Sequence, residues 1–290
     1  MRISIVTPSF NQAAFLEAAM LSVLDQRDVE LDYVVMDGSS TDGSVEIIQR
    51  HASRLSHWET GRDAGQYDAI TRGHARTTGE VMGWLNSDDL LMPGALSIVA
   101  EIFTAFPDVQ WLTTLRQVRL DERGRTVRVL VHPGFSRGGF LRGETLPVLG
   151  TFATGFIQQE STFWRRSLWE KAGAQVGRDF PLAGDFDLWA RFFQHAEPVS
   201  VECPLGGFRF HDAQKTGNRQ DAYLAEATRA FDLHNIRRWS PLARLLRRTA
   251  LANARGFTAG VALRLGLLFP SKIARHDRKT NCWNLTSTNA

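Results

Sequence analysis

Apolar positions along the chain follow two periods in alternation. Residues 2–7 (RISIVT) form a short β-branched run stopped by Pro8, the pattern of a buried strand. Behind it, Phe15, Ala19, Val23 and Leu16, Met20, Leu24 recur at the spacing of a helix face. Residues 31–36 (LDYVVM) repeat the strand pattern up to Asp37-Gly38, and Ser39 to Thr41 offer capping chemistry for a helix carrying Val45, Ile48 and Ala52. A further unit joins the strand 80–85 (EVMGWL) to a helix with Pro93 in its first turn and Leu96, Val99, Ile102 and Phe103 on one face. Strands alternating with helices across short loops predict an α/β fold with a mostly parallel sheet flanked by helices.

The pattern changes after residue 108. The runs 109–120 and 126–131 flank DERGR and predict a hairpin, while Gly138-Gly139 and Gly150 mark loops. Residues 163–172 and 185–195 read as helices, and a longer helix over 221–239 turns Tyr223, Ala227, Ala230 and Phe231 inward.

At 290 residues and 43% hydrophobic content the chain can bury the core of one large domain. The apolar stretch 260–270 is interrupted by Arg264 and too short to span a bilayer, and Pro8 breaks the N-terminal run before a signal-peptide core forms. Two distant cysteines, Cys203 and Cys282, give neither a disulfide framework nor zinc-ligand spacing, so a reducing cytoplasm is the expected setting.

Charge divides the chain. Of its 34 Lys/Arg and 31 Asp/Glu, residues 240–290 hold nine and one, leaving 25 against 30 for residues 1–239. The acidic body argues against a nucleic-acid footprint, although a basic binding protein for membrane or nucleic acid stays open as a reading from another class. In the basic tail, Leu242, Leu245, Val261 and Leu265 are interleaved with Arg247 and Arg264. Such a composition suits either docking on an anionic membrane surface or helices packed on the body, and both readings stand.

Acidic and polar residues collect where the predicted strands end: TPSFNQ after the first, Asp37 after the second, and Asp88-Asp89 after EVMGWL. Ligand crevices of open α/β sheets lie beyond those strand ends. Taken singly, each residue reads first as turn or cap chemistry; the joint placement points to a site. Asp88 and Asp89 beside an apolar run need exposure or a neutralising partner, and a divalent cation is one such partner. Asp185 alone reads equally as a helix cap.

TPSFNQ, VVMDGSSTDGS, ETGRDAGQYDAITRG, GEVMGWLNSDDLLMPGAL, QESTFWRR, AGDFDLWAR and FRFHDAQKTG occur in this order over about three quarters of the chain. The set resembles the family-two inverting glycosyltransferases with a GT-A fold. The resemblance implies a Rossmann-like nucleotide-sugar-binding half (1–108), an acceptor-binding and base-bearing half (109–239), and a basic helical tail (240–290) outside it. It implies transfer of a sugar from a nucleotide diphosphate sugar, with a UDP-sugar as donor, to a saccharide or lipid-linked saccharide, in bacterial surface polysaccharide or glycolipid assembly. The location implied is the cytoplasm, at the inner face of the membrane if the tail docks.

Residue by residue, the resemblance assigns Thr7, Pro8, Phe10, Asn11, Asp37, Asp63, Arg72, Asn86, Asp89 and Lys215 to the nucleotide sugar. Asp88 and His211 would hold Mn²⁺ or Mg²⁺, and Asp185 would be the catalytic base. Gln159, Glu160 and Trp164 would contact the acceptor. Two departures stand out: Asn86 replaces the first aspartate of the family's Asp-x-Asp, and Gly184 replaces the acidic residue often found before the base. A sugar nucleotidylyltransferase shares the sheet and the metal need, but TPSFNQ lacks the Gly-rich loop such an enzyme places after its first strand.

Overall fold

The computed structural model describes residues 1–145, 155–177, 179–212, 220–234, 236, 240, 242–243, 245–247 and 257–287. The N-terminal half begins β1 (Arg2–Ser9), α1 (Ala13–Leu24), β2 (Glu30–Asp37), α2 (Ser44–His51), β3 (His57–Thr60), α3 (Gln66–His74), β4 (Val81–Trp84). β1 lies between β2 and β4, β3 extends the sheet beyond β2, and all these pairings are parallel. Residues 3–9 are buried without interruption, as expected of a strand covered on both faces. The strand period of two sends Val6, Val34, Met36, Met82 and Trp84 into one core, and Ile3, Ile5, Tyr33, Val35 and Val81 into the other.

The chain continues through β5 (Leu90–Leu91), α4 (Ala95–Ala105), β6 (Trp111–Thr114), β7 (Arg116–Leu120), β8 (Thr126–Val131) and α5 (Arg137–Phe140). There follow β9 (Phe163–Arg165), α6 (Arg166–Lys171), α7 (Gly184–His195), β10 (Val199–Val201), β11 (Gly206–Arg209), α8 (Gln220–Leu233), α9 (Phe257–Arg264), β12 (Lys272–Asp277) and β13 (Cys282–Ser287). A nine-stranded sheet runs β13-β12-β10-β6-β9-β4-β1-β2-β3, and a four-stranded one runs β5-β11-β7-β8. In the large sheet only β9 and β13 run against their neighbours. The predicted α/β architecture is therefore present, and the 120/126 hairpin is the β7–β8 pair.

Several local expectations are corrected. Residues 163–165 form a strand, because insertion between β4 and β6 buries all three; the helix starts only at Arg166. The run 109–120 divides at Leu115, sending β6 to the large sheet and β7 to the small one. Pro93 lies outside α4, which starts after Gly94 in a left-handed conformation (φ +76°). The entry to α2 is held by Asp42, whose carboxylate accepts from the Ser44 and Ala13 amides, and not by Ser39 to Thr41. Gly138 and Gly139 belong to α5, where the Phe269 ring fills the space a side chain at 138 would need. α8 ends at Leu233, short of the predicted 239, and Gly150 lies outside the described residues.

The tail is not wholly helical. Residues 272–287 form the β12–β13 hairpin, and β12 pairs in parallel with β10, extending the central sheet. Ile273 and Ala274 are buried, and the Trp283 indole donates to Glu101 on α4 at 2.7 Å. Charged residues at the exposed positions of KIARHD mask this strand in the sequence.

Candidate active site

The carboxyl ends of β1, β2 and β4 open on one rim. At the end of β2, Asp37 is buried and accepts from the Ser40 amide (2.9 Å), the Ser40 hydroxyl and the Thr60 hydroxyl (2.7 Å). Asn11, at φ +51°, joins the two loops: its amide donates to Ser40 Oγ, and its side-chain oxygen accepts from the Thr41 amide. A β carbon on Gly38 would stand 3.2 Å from Asp63 Oδ2 and 3.3 Å from Phe10 Cδ2. Phe10, Gly38 and Asp63 thus border one slot, with the Phe10 ring 57% exposed. An exposed ring beside carboxylates offers a stacking face and acceptors for hydroxyl groups.

Other residues expected at the nucleotide face elsewhere. Thr7 Oγ1 is hydrogen-bonded with the Tyr33 hydroxyl at 2.9 Å inside the fold, and Pro8 is buried, so neither presents its side chain to the rim. Arg72 is turned to Glu59 and Asp68, which compensate its charge. Lys215 lies outside the described residues.

After β4, the turn 86–89 points its two aspartates in different directions. Asp88 meets His211 across the site, Oδ2 to Nε2 at 3.0 Å. The His211 ring is buried against Phe15 with centroids 4.3 Å apart, and its Nδ1 has no hydrogen-bond partner. Asp89 is turned inward at 1% exposure and accepts from the Arg209 amide at 2.9 Å, tying the turn to β11. Burial, reinforced by the Asp88 and Glu160 charges, holds the Asp89 carboxyl well above the usual carboxylate range. Asp89 therefore supports the turn and does not face a sugar. Asn86 is also engaged within the protein, accepting from Gln66 Nε2 at 2.7 Å.

Asp88 and His211 fit a hard divalent cation. Two donors each about 2.1 Å from one ion and at right angles stand about 3 Å apart, which is the Asp88–His211 separation. Among the described residues no three His, Cys, Asp or Glu side chains converge, so further ligands would come from water or a bound phosphate.

Asp185 sits in the first turn of α7, partly buried, and its Oδ1 accepts from the Phe186 amide at 2.8 Å. Burial pushes its carboxyl up to about 6, and the Glu226 charge acts in the same direction; the Phe186 amide and the Tyr223 hydroxyl oppose the rise. Glu226 accepts from the Leu182 and Ala183 amides at 2.8 and 2.9 Å, closing the start of α7. Asp185 shares a small cavity with Phe140, Thr145, Phe156, Ile157 and Tyr223.

Between this cavity and Asp88 lies the turn Gln159–Ser161. Glu160 is buried, and burial pushes it up to about 7; Asp185 and Asp88 raise it further while Arg119 opposes them. Glu160 Oε1 and Gln159 Oε1 have no hydrogen-bond partner, whereas Gln159 Nε2 donates to the Trp84 carbonyl. Buried orphan oxygens of this kind are unusual and mark acceptors available to a ligand hydroxyl. Trp164 is corrected: it is fully buried in β9, packed on Trp84 and Trp189, and cannot stack on a sugar. Sequence reasoning missed Tyr67, Arg119 and Glu226 and read Tyr223 only as an inward-facing helix residue; all four act by contacts between distant elements.

A family model described as Glycosyl transferase family 2 matches residues 4–161. An uncharacterized glycosyltransferase of Mycobacterium tuberculosis is 27% identical over 235 residues, 80% of this chain and 84% of that protein. A PGL/p-HBAD biosynthesis glycosyltransferase of Mycobacterium bovis is 37% identical over 93 residues, 30% of this chain and 36% of its own length. Among solved structures, S. aureus TarS 1-349 in complex with UDP-GlcNAc superposes with a TM-score of 0.59 at 15% identity, covering 81% of this chain and 66% of that one. Glucosyl-3-phosphoglycerate synthase from Mycobacterium tuberculosis, in complex with Mn²⁺, UDP and phosphoglyceric acid, gives 0.52 at 15% identity, covering 79% and 78%. At such identities the superpositions establish a common GT-A-type fold.

Proposed function

The chain belongs to glycosyl transferase family 2 and is a glycosyltransferase, and from that premise we propose that it transfers a sugar from a UDP-sugar to a hydroxyl of a saccharide or lipid-linked saccharide, with inversion and with Mn²⁺ or Mg²⁺. The setting proposed is assembly of a bacterial surface polysaccharide or glycolipid. The observation that carries this reading is the placement of two chemically different carboxylate sites around Glu160: Asp88 paired with His211 on one side, and Asp185 lining its own small cavity on the other. The relative acting in PGL/p-HBAD biosynthesis, and the solved folds holding UDP, UDP-GlcNAc or Mn²⁺, support the donor class and the setting.

In this reading the slot of Phe10, Gly38 and Asp63 takes the base and ribose, with Asp37 and Asn11 fixing the loops around it. Asp88 and His211 would hold the cation, which when bound would neutralise charge on the departing diphosphate. Asp185 removes the acceptor proton as the hydroxyl oxygen attacks the anomeric carbon from the face opposite the diphosphate, which inverts the configuration. Gln159 and Glu160 present their orphan oxygens to sugar hydroxyls.

The test is a donor panel with and without Mn²⁺, read first as thermal stabilisation and then as product formation. A cognate UDP-sugar should raise the melting temperature only with the cation present, since binding to the folded state alone stabilises it. Asp88→Ala should abolish turnover in a folded protein. Full activity after chelation would refute the metal assignment, and a product retaining the donor's anomeric configuration would refute the mechanism.

A further inference from the structure

Several exposed apolar side chains gather near the Asp185 cavity. Phe156 lines that cavity yet is 37% exposed, and Leu141, next to the lining residue Phe140, is 38% exposed. The short helical stretch 245–247 is drawn to the same place: Arg247 pairs with Glu144, adjacent to the lining residue Thr145, and donates to the Leu267 carbonyl. Five and two residues before that anchor are Leu242 and Leu245, at 66% and 56% exposure, and Leu265 stands two residues from Leu267 at 68%. Arg247 itself is turned inward over the Phe269 ring, so its role is to fasten this segment.

The region's charge suggests what covers these side chains. Residues 240–290 carry nine Lys/Arg against one Asp/Glu, and Arg264, Lys272, Arg278 and Lys279 are exposed. The rest of the chain is net acidic. Exposed leucines in a net basic region, Leu265 directly after the exposed Arg264, on an otherwise acidic protein match an anionic lipid surface, where apolar burial and charge attraction add. Among the described residues no helix is long and apolar enough to cross a membrane, so attachment would be interfacial.

We infer that Leu141, Phe156, Leu242, Leu245 and Leu265 form an anionic-membrane docking face on the side of the molecule that carries Asp185, so that the acceptor reaches the base from the bilayer as a lipid-linked saccharide. The inference rests on Asp185 marking the acceptor side, as proposed above. A docking face on this side selects acceptors whose lipid stays in the leaflet while the sugar hydroxyl is presented to Asp185.

The experiment uses the full chain and vesicles of phosphatidylcholine with or without phosphatidylglycerol. Binding is expected only with phosphatidylglycerol, and roughly tenfold weaker in the combined variant Leu242→Asp, Leu245→Asp, Leu265→Asp or at high salt. These side chains are exposed, so the variant should keep the wild-type melting temperature. Orientation is read with an environment-sensitive dye at Leu141→Cys in a Cys282→Ser background, with Glu46→Cys on α2 as the control. A blue shift at 141 and none at 46 supports the docking face. Absence of binding to anionic vesicles, wild-type binding by the triple variant, or a shift at 46 but not at 141 overturns it. UDP-sugar stabilisation, measured separately without vesicles, distinguishes failure of the docking face from failure of the transferase reading.

Discussion

The ring of Tyr67 occupies the space that a side chain at position 184 would need. A β carbon on Gly184 would stand 2.7 Å from Tyr67 Cε2 and 2.7 Å from the Gly177 Cα, and the Tyr67 hydroxyl donates to the Leu182 carbonyl at 2.9 Å. α3, from the nucleotide half, thus braces the first turn of the helix that carries Asp185. Glycine at 184 leaves the room that this contact takes.

Gly184→Ala should therefore destabilise the protein by about 1–3 kcal/mol, the usual cost of forcing a methyl group into a filled site. Because the added carbon displaces the turn that aims Asp185, turnover should fall more than donor affinity. Denaturant midpoints together with kcat and donor KM check this. Wild-type values for both would mean that the Tyr67 contact does not position the base.

Asp185 also sets a pH dependence. Burial raises its carboxyl to about 6, and in the proposed mechanism the ionised form removes the acceptor proton; that form is gained as pH rises through this value, so activity should climb between about pH 5 and 7. Glu226→Gln keeps an acceptor for the Leu182 and Ala183 amides but removes a negative charge that raises Asp185, so the inflection should move to lower pH. The effect on stability has the opposite sense. A carboxyl raised in the folded state contributes stability below its unfolded value near 4, and that contribution is lost as pH rises through about 6. Asp185→Asn should remove this loss while lowering turnover by ~10²–10⁴. A pH–rate profile unaffected by Glu226→Gln would place the titrating group elsewhere.

β1, β2, β4 and α1 were legible because burial on both faces of the strands imposes apolar runs and α1 repeats at helical spacing, whereas the half-exposed β3 and the polar α3 carry no such pattern and were not predicted. Asp37, Asp88 and Asp185 were legible because strand ends and helix starts are where such residues gather. The orientation of neighbouring side chains was not. Nothing in SDD says that Asp88 faces His211 while Asp89 turns inward to the Arg209 amide, since that depends on β11, more than a hundred residues away. Trp164 misled for a related reason: FWR is short enough to read as helix or strand, and only its insertion between β4 and β6 buries the indole.

That burial makes Trp164 a stability residue. Trp164→Ala should cost about 3–5 kcal/mol, as for other large aromatic deletions in cores. Trp164→Phe, which retains most of the packing, should leave acceptor preference unchanged. A change of acceptor preference in a normally stable Phe variant would return Trp164 to the acceptor site.

The C-terminal hairpin yields a prediction that separates sheet from docking face. β12 covers β10 with Ile273 at 2% exposure, whereas Leu285 on β13 is 39% exposed. Ile273→Ala should cost about 2–5 kcal/mol and Leu285→Ala within about 0.5 kcal/mol. Truncation before Ser271 would strip the parallel partner from β10 and leave its polar backbone edge unpaired, so the protein should unfold at a much lower temperature or aggregate. The Asp variants at 242, 245 and 265 leave this sheet intact and should affect only vesicle binding. A truncated chain with the full melting temperature would show that β12 and β13 are an appendage to the sheet and not part of its stability.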